Sequence, residues 1–112
     1  MLKKALVIDD ETDICQLLVA FLKKNNYKTY SAFNITDGLS LCRSHHPDLI
    51  FLDNNLPDGS GIDAIAEFHS ITPESRVIVI SALTGLEEKA MNAGAVSFVG
   101  KPISYVSIKK YL

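Results

Sequence analysis

The chain has 112 residues, of which 47% are apolar, so it can form one domain around a single buried core. Eleven basic and thirteen acidic residues give a formal net charge of -2, which argues against direct binding of nucleic acid or of an anionic membrane surface. We expect no signal peptide, because the N-terminal apolar run is short and ends in two aspartates, and no run approaches the roughly 20 apolar residues that span a bilayer. Cys15 and Cys42 lack the spacing of a metal or redox motif, and we expect buried, reduced thiols in a cytoplasmic protein.

Short apolar runs typical of buried strands alternate with longer amphipathic segments. Residues 5–8, 49–52 and 77–80 are continuously apolar, and weaker β-rich runs cover 27–31 and 96–99. Runs that are apolar on both faces suit parallel strands covered by helices on both sides. The sequence therefore predicts five strands.

Each predicted strand is followed by a predicted helix. The first helix starts at a cap formed by Thr12 or Asp13 and ends at Asn25-Asn26, while the second starts at Asn34 or Thr36. The second must stop near residue 46, because a proline follows and disfavours helical geometry before it. The remaining helices are predicted over about 61–70, over about 86–93 and after residue 102, the last with two to three turns.

Five consecutive βα units in one short chain predict an α/β fold with a doubly wound, five-stranded parallel sheet. Right-handed crossovers place helices on both faces, and the flavodoxin-like strand order 2-1-3-4-5 is the common solution at this size. We expect residues 1–112 to form one domain, either complete or the N-terminal part of a longer protein.

Polar side chains follow four of the predicted strands. Asp9 and Asp10 end the first apolar run, and Asp53, Ser81 and Lys101 follow the third, fourth and fifth strands. In the order 2-1-3-4-5 these strands are neighbours, so the side chains converge at the edge where open α/β folds place their sites. Each residue alone has an ordinary explanation as a helix cap or a solvated loop side chain, but their joint placement favours a shared site.

The chemistry of this group points to a phosphoryl group and a divalent cation. Three adjacent carboxylates repel one another unless a cation compensates, and Mg²⁺ accepts carboxylate and phosphate oxygens as ligands. Asp53 enters a loop with proline and glycine, so it is the candidate nucleophile that would form an aspartyl phosphate. Lys101 can neutralise the added charge, and Ser81 can hydrogen-bond a phosphoryl oxygen.

Five motifs carry a resemblance to a known family: Val7-Ile8-Asp9-Asp10-Glu11, the loop from Asp53 to Gly61, Ser81-Ala82, Gly94-Ala95 and Lys101-Pro102. Together they resemble the response-regulator receiver domain of two-component signalling. The match extends over essentially the whole chain.

The resemblance implies a role for each residue of the group. Asp53 would be the phosphoacceptor and Lys101 the phosphate-binding lysine. The cofactor Mg²⁺ would be ligated by Asp10, Asp53 and the backbone carbonyl of Asn55, with Asp9 contributing through water. In this family a hydroxyl and an aromatic side chain form a switch, and Ser81 and Phe98 stand at these two positions.

The resemblance also implies the partners. The donor would be a sensor histidine kinase or a histidine phosphotransfer protein, and the output would be a downstream effector domain or protein, or self-association as a homodimer. The domain would catalyse only its own phosphorylation and dephosphorylation and would not be an enzyme with an external substrate. The sequence leaves one alternative open, which is a receiver-like binding module that signals without phosphorylation.

Overall fold

The computed structural model describes residues 2–112. Five strands alternate with five helices, and a short β-hairpin precedes the third helix. The strands are β1 (Lys4–Ile8), β2 (Lys28–Ala32), β3 (Leu49–Asp53), β4 (Asn55–Leu56), β5 (Gly59–Ser60), β6 (Arg76–Ser81) and β7 (Ser97–Gly100). The helices are α1 (Thr12–Lys24), α2 (Ile35–His45), α3 (Gly61–Ile71), α4 (Glu87–Asn92) and α5 (Tyr105–Ile108), followed by a 3₁₀ turn over Lys109–Tyr111.

The main sheet has five parallel strands in the order β2-β1-β3-β6-β7. Strands β4 and β5 form a separate antiparallel hairpin in the loop before α3. When the five strands of the main sheet are counted in chain order, this is 2-1-3-4-5, and the predicted doubly wound fold is confirmed. Within residues 2–112, no helix is long and apolar enough to cross a membrane.

Side-chain alternation along the central strands creates two apolar layers. In β1, Leu6 and Ile8 face the layer covered by α2, α3 and α4, whereas Ala5 and Val7 face the layer covered by α1 and α5. Successive residues of a strand point to opposite faces, so a continuously apolar run fills both layers. This packing fixes the sheet and leaves the polar strand ends at one edge.

The helix ends differ from the sequence prediction in two places. Glu11, and not Thr12 or Asp13, is the N-cap residue of α1, and its side chain makes no capping hydrogen bond. For the second helix the predicted cap is correct: Asn34 caps α2 by accepting a hydrogen bond from the amide of Asp37 at 2.7 Å. The last helix is shorter than predicted, with one α-helical turn and a 3₁₀ turn.

Candidate functional site

The polar residues predicted to converge do lie at one edge of the sheet. Asp53 and Ser81 are the last residues of β3 and β6, while Asp9 and Lys101 directly follow β1 and β7. The parallel register sets Asp53 beside Ile80, so neighbouring strands end at similar heights. Tertiary pairing therefore brings together side chains that are up to about ninety positions apart in the chain.

Three carboxylates form a compact cluster at this edge. Asp9, Asp10 and Asp53 each offer one oxygen, and these oxygens lie within 4.8 Å of one another. Asp9 and Asp53 are buried and Asp10 is exposed, so the cluster is open on one side. The buried Oδ2 of Asp9 forms an ion pair with the Lys101 ammonium. A cluster of three carboxylates that offers only oxygen ligands suits a hard divalent cation.

The Lys101 ammonium lies in the middle of the acidic residues. Its Nζ atom is 2.9 Å from Asp9 Oδ2, 2.9 Å from Glu11 Oε1 and 3.6 Å from Asp53 Oδ1. The peptide bond between Lys101 and Pro102 is cis. Lys101 thus provides one positive charge for several carboxylates.

Burial and charge shift the protonation equilibria of this group. Burial, and next to it the charge of Asp9, raises the pKa of Asp53 to about 6, although Lys101 acts in the opposite direction. Burial alone would lower the pKa of Lys101, but hydrogen bonds to Glu11 and Asp9 and the charge of Asp53 outweigh it and raise that pKa above its usual range. Lys101 therefore stays positively charged at neutral pH, whereas ionisation of Asp53 lowers the stability of the folded domain.

Ser81 has a hydroxyl that is engaged on one side only. Its Oγ accepts a hydrogen bond from the amide of Leu83 at 3.0 Å. A serine hydroxyl has one proton to donate in addition to its lone pairs, so the proton remains available for an acceptor in the adjacent space. Ser81 itself is buried at the end of β6.

A cavity of about 250 Å³ lies over the carboxylate cluster. Its lining consists of charged, polar and small side chains from the strand ends: Asp10, Glu11, Asp53, Asn55, Ser81, Ala82, Leu83 and Lys101. Asp9 is fully buried and does not line this cavity. Phe98 is not part of the lining; it lies half-buried in β7 and packs against the layer under α2, α3 and α4.

The loop after Asp53 is held by a residue that sequence reasoning did not single out. The side-chain oxygen of Asn54 accepts hydrogen bonds from the Ser60 hydroxyl at 2.8 Å and from the Ile62 amide at 3.0 Å. The amide of Gly61 donates to the Asn54 carbonyl, and a Cβ atom at Gly61 would lie 2.1 Å from the carbonyl oxygen of Asp53. Close packing of this loop therefore fixes the backbone of Asp53.

Glu11 is the second residue for which the sequence indicated no specific role. Its position directly after the aspartate pair was the available signal, but a carboxylate at the start of a helix more often serves as a cap. Only the fold shows that its side chain reaches Lys101, which lies 90 residues away in the chain.

The comparisons with known proteins agree with this geometry. The family model of the response regulator receiver domain matches residues 5–112. The chain is 37% identical over 103 residues to the response regulator protein PilR of Pseudomonas aeruginosa, and the match covers 90% of this chain but only 23% of PilR.

Two further proteins match over more of their length. Sporulation initiation phosphotransferase F of Bacillus subtilis is 31% identical, with the match covering 100% of this chain and 95% of that protein. A response regulator of Burkholderia pseudomallei, crystallised with a phosphorylated aspartic acid, a calcium ion and citrate, has a TM-score of 0.88 and 28% identity over 96% of this chain and 64% of its own. With the family model matching nearly the whole chain, the protein belongs to the response-regulator receiver domain family of two-component signalling.

Proposed function

We propose that this domain is a phosphorylation-dependent signalling switch in which Asp53 accepts the phosphoryl group. The observation that carries the proposal is the buried Asp53 carboxylate, which lines a polar cavity beside two other aspartates and the Lys101 ammonium. Nucleophilic aspartates of this kind form acyl phosphates. The phosphorylated aspartic acid in the Burkholderia pseudomallei relative supports the same chemistry.

We propose Mg²⁺ as the cofactor, held by Asp10, Asp53 and the backbone carbonyl of Asn55, with Asp9 acting through water. The cluster of three carboxylates and the exposed position of Asp10 support this assignment. When bound, the cation offsets the repulsion between carboxylates and phosphoryl oxygens. The calcium ion reported for the Burkholderia pseudomallei structure supports a divalent-cation site in a relative.

The proposed reaction moves one phosphoryl group between two side chains. An ionised Asp53 oxygen forms the new P–O bond as the P–N bond to a phosphohistidine breaks, and the electron pair of that bond returns to the imidazole nitrogen. Lys101 provides positive charge at the phosphoryl oxygens, and the Ser81 hydroxyl donates a hydrogen bond to one of them. The later hydrolysis of the aspartyl phosphate resets the domain, so no external substrate is turned over.

We propose that the donor is a sensor histidine kinase or a histidine phosphotransfer protein in the cytoplasm. Two buried thiols, Cys15 and Cys42, suit a reducing compartment. Residues 1–112 would act as one receiver domain without direct nucleic-acid contact. The output is proposed to pass through Ser81 and the half-buried Phe98 to a downstream effector domain or protein, or to a homodimer.

Intact mass spectrometry after incubation with Mg²⁺ and acetyl phosphate tests the acceptor. The wild type should gain the mass of one phosphoryl group, and Asp53→Ala should not. Asp63→Ala is the matched control, because Asp63 is an exposed aspartate in the first turn of α3 and does not line the cavity. It should be phosphorylated like the wild type.

Two outcomes would contradict the proposal. Phosphorylation of Asp53→Ala to the wild-type level would assign another acceptor. A wild type that binds Mg²⁺ but forms no adduct would favour the phosphorylation-independent binding module instead. Sedimentation with and without a beryllium fluoride mimic would then determine whether self-association is the output.

A further inference from the structure

Lys101 has a second partner outside the carboxylate cluster, and this partner has no role in the chemistry described above. The Glu11 carboxylate lies 2.9 Å from Lys101 Nζ, which is as close as Asp9 and closer than the 3.6 Å to Asp53. The ammonium is therefore held nearer to these two residues than to the proposed acceptor. Glu11 also lines the same cavity.

The side chain of Glu11 is directed to Lys101 at the expense of a helix cap. Glu11 is the N-cap residue of α1 and has an extended backbone, yet it makes no side-chain capping hydrogen bond. Its own amide donates to Asp9 Oδ1 at 2.8 Å, so its backbone is tied to the cluster. A carboxylate at a helix N-terminus normally gains from bonding the free amides, and here the ion pair with Lys101 replaces that bond.

The two partners of Lys101 differ in how easily they can be exchanged. The Asp9 side chain is fully buried, whereas the Glu11 side chain is 60% exposed. Because the Glu11 carboxylate is already largely exposed, water can solvate it at low cost when it is released from Lys101. When a phosphoryl group arrives on Asp53, the bond to Glu11 is the one that Lys101 can give up.

We propose that Glu11 is a positioning residue that competes with the phosphoryl group for the Lys101 ammonium and so favours the unphosphorylated state. The inference rests on the proposed function, because it concerns the lysine that would contact the phosphoryl group. Removing the Glu11 charge frees the ammonium for its new partner. Because the Glu11 side of this ion pair is exposed to water, the expected gain in affinity for a phosphoryl group or its mimic is roughly two- to fivefold.

Titration with beryllium fluoride at saturating Mg²⁺ measures this competition by calorimetry. Glu11→Gln keeps the shape of the side chain and should bind the mimic roughly two- to fivefold more tightly than the wild type. Glu11→Asp keeps the charge but is one methylene shorter, so it should show a similar gain if direct contact matters. Asp13→Asn is the matched control: it removes one charge from the exposed first turn of α1 and should leave the affinity unchanged.

The outcomes separate this inference from the proposed function. Equal gains in Glu11→Gln and Asp13→Asn would overturn it, because a general charge effect would then suffice. Binding of beryllium fluoride by Glu11→Gln that is no tighter than by the wild type would also overturn it, with urea unfolding used to show that the variant is folded. If the wild type itself does not bind the mimic, the proposed function fails and the competition falls with it. A wild type that binds while Glu11→Gln shows no gain overturns the competition alone.

Discussion

Replacing Asp53 by asparagine should stabilise the metal-free domain at neutral pH. The substitution keeps the side-chain volume and removes a charge that is buried beside Asp9. The same charge is needed for the proposed phosphoryl transfer, so the variant should gain stability as it loses the acceptor. This opposition between stability and function is typical of sites with perturbed carboxylates.

The magnitude follows from the pKa of Asp53, which is raised from 3.8 to about 6 in the folded domain. The folded domain therefore keeps a proton that the unfolded chain has already released between these two pH values. Stability is lost as the pH rises through this window, and one pKa unit corresponds to roughly 1.4 kcal/mol. Asp53→Asn should recover on the order of 2–3 kcal/mol at pH 7.5 and less than about 1 kcal/mol at pH 4.

Urea unfolding in EDTA at pH 7.5 and at pH 4 measures both values. Asp63→Asn is the control, since Asp63 is exposed at the start of α3 and its charge interacts favourably with the helix dipole. It should be neutral or slightly destabilising at both pH values. Added Mg²⁺ should stabilise the wild type more than Asp53→Asn and so narrow the difference between them.

Two results would refute this reasoning. If Asp53→Asn is no more stable than the wild type at pH 7.5, Lys101 fully compensates the buried charge. If the gain is the same at pH 4 as at pH 7.5, it arises from packing or hydrogen bonding and not from the ionised carboxylate.

Three further predictions concern the elements around the site. Gly61→Ala should destabilise the domain by about 1–3 kcal/mol in urea unfolding and slow phosphorylation, because the new Cβ would lie 2.1 Å from the Asp53 carbonyl oxygen. Unchanged stability and phosphorylation rate would mean that the loop backbone shifts to accommodate the Cβ atom. Asn34→Ala should cost about 1 kcal/mol of unfolding free energy, because α2 loses its cap at the Asp37 amide, whereas Asn34→Asp should retain most of it. Burial raises the pKa of Cys15 from 9.0 to about 11, so the free energy of unfolding should fall as the pH rises between these values. The free energy of unfolding of Cys15→Ser should fall less over the same pH range. An equal decline in both proteins would assign the loss to other groups.

Much of the fold could be predicted because its signals are local. The apolar runs at 49–52 and 77–80 lie within β3 and β6, since a strand buried on both faces has few polar positions. The last helix was predicted less well. Val106 is 73% exposed, and α5 contributes one buried residue, Ile108. The few apolar residues of such a short segment do not determine which of them will pack against the sheet.

The candidate site was predictable in its members but not in its contacts. Four residues could be grouped because each ends or follows a different strand, and the strand order then makes them neighbours: Asp9, Asp53, Ser81 and Lys101. Phe98 was placed by resemblance alone, and it lies half-buried in β7 outside the cavity.

The order of elements, the two-sided burial of the strands and the acidic and basic residues at their ends can all be read from the chain. These features depend on the spacing of apolar and polar residues, which is a local property. The position of Lys101 between Asp9 and Glu11 follows only from the folded arrangement, as does the contact of Asn54 and Gly61 with the backbone around Asp53. Such contacts depend on side-chain directions and distances across strands, because charges and packing act through space and not along the chain.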